Sequence, residues 1–130
     1  MIVVDASVLA PALADDNSDG DAARSGLRGH ALVAPELIDL EVASVWRRQV
    51  VAGQLEVRRA DFAVADLLAL PLQRIPHRQL VTRCWELRQN LTPYDAAYVA
   101  LAELLGVVLV TGDKRLSRSS GLRCRVEVIG

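Results

Sequence analysis

The sequence predicts an α/β fold: a three-layer α/β/α arrangement around a mostly parallel sheet. Three observations predict it. Two runs, MIVV at 1–4 and VVLV at 107–110, are wholly apolar, as strands buried on both faces of a parallel sheet are. Helical periodicity fills the stretches between strand candidates, so strands and helices alternate, and right-handed crossovers place helices on both faces. The 130 residues suit a single domain, 1–130, and a hydrophobic fraction of 52% supplies its core.

Along the chain, the strand at 1–4 leads into a short helix from Ser7 to Ala14. DDNSDGD at 15–21 reads as a solvated turn, and residues 21–28 as another short helix. ALVA at 31–34 is a second strand stopped by Pro35, which opens a helix to Ala52 with Gly53 as its stop. Residues 56–69 are helical and end before Pro71, and LQRI at 72–75 is a weak strand. Over 77–91, Leu80, Val81, Cys84, Leu87 and Leu91 recur at helical spacing. Thr92 and Pro93 open a helix closed by Gly106. The strand at 107–110 turns through TGD into a short helix, and CRVEVI at 124–129 is the last strand.

Composition excludes several classes. No apolar run approaches the roughly 18 residues of a membrane span. The start MIVVDAS lacks a basic region and carries Asp5, so it is not a signal peptide, and the expected compartment is the cytoplasm. Cys84 and Cys124 form no metal-ligand spacing and read as reduced thiols. His30 and His77 have no Ser or Cys partner in a nucleophilic motif, and neither GxxxxGK[ST] nor GxGxxG occurs. Net charge is −1, yet residues 1–65 carry 6 basic against 10 acidic groups and residues 66–130 carry 9 against 6. Lys114, Arg115, Arg118, Arg123 and Arg125 face only Asp113 within 113–125, a stretch suited to phosphate. Five aromatic residues, Trp46, Phe62, Trp85, Tyr94 and Tyr98, are few for a protein that binds single strands by stacking.

Four acids occupy unusual positions. Asp5 ends the first strand and Asp113 follows the strand at 107–110; ligands collect beyond the carboxyl ends of parallel strands, although an Asp there also caps the next helix. At 100° per residue Leu37, Glu41 and Val45 share a band, so Glu41 projects from an apolar stripe and needs a cation, either Arg48 or a metal ion. Asp39 falls near the opposite side, with Trp46, and reads as a surface or interface residue, whereas Trp46 suits helix packing within the chain or an interface. Asp95 stands where a capping-box acid sits behind Thr92, in line with the inward-facing Val99 and Ala102. Two such charges 4 Å apart repel by about 4 kcal/mol at an effective dielectric near 20. A cluster therefore calls for a hard cation, Mg²⁺ or Mn²⁺, of the kind that serves phosphodiester cleavage.

Four segments carry a resemblance: VVDASVLA at 3–10, LIDLEVASVWRR at 37–48, LTPYDAAYVALAELLG at 91–106 and VLVTGDKRLSRSSG at 108–121. In this order they resemble the PIN domain, and more closely the VapC-type toxins of bacterial toxin–antitoxin pairs. The resemblance implies a PIN-like α/β/α sandwich and an endoribonuclease dependent on Mg²⁺ or Mn²⁺. The family's acidic positions match Asp5, Glu41, Asp95 and Asp113, with Asp5 and Asp95 holding the metal most directly, and its hydroxyl positions match Ser7 and Thr111. It further implies an RNA substrate, a VapB-type antitoxin partner and a homodimer. Some relatives carry another acid shortly after the fourth; Leu116, Ser117 and Ser119 stand there, which argues against a well-occupied second metal site. Two other readings fit less of the chain. A haloacid-dehalogenase-like phosphohydrolase needs a second acid where Ser7 stands, and a receiver-like module needs a phosphate-accepting Asp on the third strand.

Overall fold

The computed structural model describes residues 1–130. Its five strands are all parallel: β1 (Ile2–Val4), β2 (Leu32–Pro35), β3 (Leu72–Ile75), β4 (Leu109–Thr111) and β5 (Val126–Val128), in the spatial order β3-β2-β1-β4-β5. The helices are α1 (Ala6–Ala14), α2 (Ser18–Leu27), α3 (Ile38–Val51), α4 (Val57–Ala69), α5 (Val81–Glu86), α6 (Pro93–Leu105) and α7 (Lys114–Ser117). The connections from β1 to β2 to β3 move one way across the sheet, and those through α5, α6 and α7 move the other. Right-handed crossovers therefore set α1–α4 on one face and α5–α7 on the other. The packing agrees: α1 lies against α2, α3 and α4, and α5 against α6.

Val3, Val4, Val33, Leu109 and Val110 are buried, which accounts for the apolar runs. Residues 96–102 of α6 are buried throughout, so small side chains let this helix lie close on β1, β2 and β4. Gly106 ends α6 at φ +66°, a backbone state that glycine adopts without a steric penalty.

Several local expectations are corrected. The acidic run at 15–21 is not all turn, because α2 already begins at Ser18. Asp19 and Asp21 fall in its first turn, where the helix dipole favours acids. Pro35 does not open a helix; it is the last residue of β2, paired in register with Ile75, where no further N–H is needed. The stretch 77–91 is not one helix but a 3₁₀ turn (Arg78–Leu80) followed by α5, with Val81 exposed. Of the two alternatives for Trp46, packing within the chain holds: it is buried, and its Nε1–H donates to the Ala10 carbonyl at 3.2 Å, tying α3 to α1. Asp39 is bound within the chain, paired with Arg74 at 2.7 Å. The two cysteines are free, as expected.

Candidate active site at the carboxyl edge of the sheet

All four acids stand at one edge. Asp5 directly follows β1, and Asp113 follows β4 by two residues. Glu41 lies in the first turn of α3, which leaves the carboxyl end of β2. Asp95 lies in the first turn of α6, which runs back toward β4 and so begins at the same edge. The strand order reverses between β1 and β4, the point where ligands bind in open parallel sheets.

Asp5 is 8% exposed and caps α1. Its Oδ1 accepts from the Ser7 backbone N–H at 3.1 Å and from Ser7 Oγ at 2.6 Å, and its Oδ2 accepts from Thr111 Oγ1. Ser7 Oγ in turn accepts from the Gly112 N–H at 2.8 Å. A Cβ on Gly112 would stand 3.2 Å from that hydroxyl, so glycine keeps the turn after β4 close to α1. Burial pushes the Asp5 carboxyl up to about 6, against the pull of the Ser7 and Thr111 hydroxyls. By this geometry Oδ2 keeps an unused lone pair.

Glu41 does not pair with Arg48, whose guanidinium donates to Ser44 Oγ at 2.9 Å. It accepts instead from the Tyr98 hydroxyl, a bond that joins the two helical layers across the sheet edge. Burial raises the Glu41 carboxyl, the phenol lowers it, and the charge of Asp95 raises it again. Tyr98 is 2% exposed and is kept protonated by burial, by its bond to Glu41 and by the charges of Glu41, Asp5 and Asp95. Sequence reasoning did not single it out. The available signal was its spacing of three from Asp95, which puts both on one side of a helix.

Asp95 is half-buried, and its backbone N–H donates to the N-cap Thr92 Oγ1 at 3.2 Å, as the capping reading expects. Burial raises its carboxyl first, and the charge of Asp113 raises it further. Asp113 caps α7 by accepting from the Arg115 N–H at 2.9 Å and pairs with the Arg115 guanidinium at 3.2 Å, which holds its carboxyl low. Asp95 thus shares an electrostatic field with each of the other three acids.

This donor set suits a hard divalent cation: oxygen only, with three of the four carboxyls raised by burial and by one another. No three carboxylates close into a metal shell. Mg²⁺ does not require one, since it is held by one or two carboxylates and keeps several waters.

The chain belongs to the PIN domain family, whose model matches residues 2–122. Within that class its curated relatives are VapC ribonucleases. It is 39% identical over 128 residues to Ribonuclease VapC1 of Mycobacterium tuberculosis, covering 98% of this chain and 96% of the relative. It is 40% identical over 129 residues to VapC ribonuclease Mb0985 of Mycobacterium bovis, covering 99% and 98%. Among solved structures, Mycobacterium tuberculosis VapC20, described as a Sarcin-Ricin loop cleaving toxin, superposes with a TM-score of 0.73 at 19% identity over the whole of both chains. A crystal structure of VapBC2 from Rickettsia felis, bound to a DNA fragment from their promoter, gives 0.66 at 13% identity and likewise covers both chains fully. A receiver-like module is set aside by strand order, which for that class is 2-1-3-4-5. The phosphohydrolase reading is set aside by the family match.

Proposed function

We propose that this chain is a toxin that cleaves RNA phosphodiester bonds with Mg²⁺ or Mn²⁺ held by its carboxylate pocket, and that a VapB-type antitoxin neutralises it. The observation that carries the reading is the gathering of Asp5, Glu41, Asp95 and Asp113 at the β1–β4 edge of a PIN fold, in a field that raises three of them. Asp5 and Asp95 hold the ion, with Glu41 and Asp113 completing the acidic surround. When bound, the ion supplies Lewis-acid stabilisation of charge developing on the phosphate and makes water more acidic.

The remaining chemistry belongs to the chain. Ser7 and Thr111 lock the Asp5 carboxylate so that one lone pair faces the pocket. Tyr98 holds Glu41 in place while leaving it a proton acceptor of raised basicity. Arg115, bound to Asp113 and 89% exposed, offers guanidinium N–H groups to a phosphate at the rim. The names of the VapC relatives support the substrate class, and the VapBC2 complex supports the partner class. A homodimer belongs to the same reading. No helix of the chain is long and apolar enough to cross a membrane.

The test is cleavage of total RNA by purified protein with Mg²⁺ or Mn²⁺, with and without EDTA. Cleavage that stops on chelation and in Asp5→Asn and Asp95→Asn is the expected result. Cleavage that persists in either variant or in EDTA defeats the proposal.

A further inference from the structure

We infer that the cleft between Trp85 and the start of α6 is a base-stacking subsite, which holds an unpaired nucleobase of the RNA beside the carboxylate pocket. The inference rests on the ribonuclease reading and names part of its substrate recognition.

The cleft has a volume of about 440 Å³, and Cys84, Trp85, Arg88, Gln89, Thr92 and Pro93 are among its walls. Trp85 is 67% exposed, an unusual position for one of only two tryptophans. The Arg88 guanidinium lies 4.8 Å from the Trp85 ring centroid and is held there by a bond to the Trp85 carbonyl at 2.9 Å. An indole layered with a guanidinium is a π-surface on which a base of any identity can stack. The neighbouring Gln89 is exposed and carries an amide of the kind that reads base edges.

Two connections tie this surface to the acids. Thr92, a wall of the cleft, is the N-cap whose hydroxyl receives the Asp95 N–H, so the stacking surface and a site carboxylate share one helix terminus. Asn90 donates to the Ser120 carbonyl at 3.1 Å, which fastens the turn after α5 to the segment carrying the exposed Lys114 and Arg118. Those cations suit the phosphates of a strand running from the stack to the acids.

A second copy of the chain is the competing occupant of this face. The cations favour RNA instead: Arg88 is the one charged residue lining the cleft, and the exposed Lys114 and Arg118 lie on the segment that Asn90 fastens beside it. RNA brings the opposite charge.

Tryptophan fluorescence reads the subsite directly, because the other tryptophan, Trp46, is buried in the core. In EDTA, where cleavage is not needed, short oligoadenylate and oligouridylate single strands are titrated into the full chain, with an RNA duplex as control. Quenching by single strands and little by duplex is expected. Trp85→Ala should weaken single-strand binding about tenfold, Trp85→Phe should keep most of it, and in cleavage the loss should fall on KM with kcat retained. Unchanged affinity and KM in Trp85→Ala overturn the subsite, as does a dimer that Trp85→Ala splits into monomers on sedimentation. Cleavage by the unaltered protein without Trp85 quenching removes the subsite and leaves the ribonuclease reading standing. Neither cleavage nor binding of any RNA removes the ribonuclease reading, and the subsite with it.

Discussion

The ends of β1 and β4 start from the same local chemistry and finish as opposites. Each carries an aspartate that caps the following helix through the N–H two residues on: Ser7 for Asp5, Arg115 for Asp113. The strands are neighbours in the sheet. Yet Asp5 is enclosed and meets only neutral donors, so burial raises its carboxyl to about 6. Asp113 lies at the surface against a guanidinium, and its carboxyl is lowered. The cap motif is therefore silent about charge. Solvent and the identity of the partner decide whether such an acid resists or welcomes ionisation. An acid that resists ionisation without a cation is the better place for one.

The largest expected effect separates the two ends by rate. On the proposed reading, Asp5→Asn should reduce RNA cleavage about 10³-fold, because Asp5 would hold an ion worth several kcal/mol to the transition state. Asp113→Asn should cost about tenfold, as for an outer group that supports the site. Equal losses in single-turnover assays would break the contrast.

Stability should move the other way. The Asp5 carboxyl is raised from 3.8 to about 6, so protonation is linked to folding. Its contribution, at most about 3 kcal/mol, is fully present below about pH 4 and lost as pH rises through about 6. Glu41 and Asp95 are raised too and act in the same sense. Asp113 is lowered, so its smaller contribution is present at neutral pH and lost in acid. In EDTA, differential scanning calorimetry should show Tm falling from pH 5 to pH 7. Asp5→Asn should flatten that slope and raise Tm at pH 7 by about 5 °C, while Asp113→Asn, still a competent cap, should leave Tm nearly unchanged. Adding Mn²⁺ should restore stability at pH 7 in the unaltered protein and less so in Asp5→Asn.

Tyr98→Phe addresses what lies between the two ends. Loss of its hydroxyl should cost about 1 kcal/mol in denaturant unfolding and let the Glu41 carboxyl climb further. The acidic limb of the pH–rate profile should then shift to higher pH. The smallest effect is expected from Arg115→Ala. The Asp113 resonance should titrate at higher pH by NMR, with Tm unchanged within measurement, because the pair is exposed.

Legibility followed the range of the forces involved. The buried strands, the capping of α6 by Thr92 and the positions of the four acids were readable, because each depends on a run of neighbours. The start of α2 was misread because acids suggest a turn and also suit a helix N-terminus. For Trp46 a helical wheel shows a face but not what it meets, so packing and interface both stayed open until the Ala10 carbonyl met the indole. Glu41 was expected to meet a cation, Arg48 or a metal ion; its partner within the chain is instead a neutral phenol 57 positions away, invisible from its own helix.

By itself, the sequence determined the alternation of strands and helices and the acids at strand and helix ends, since hydrophobic periodicity and capping act over a few residues. Only the tertiary structure decided that Thr111 would close on Asp5 from 106 positions away and that Tyr98 would bridge the helical layers to Glu41. Desolvation and hydrogen bonding depend on what arrives from distant parts of the chain, so the ionisation of each acid is a property of the assembled edge.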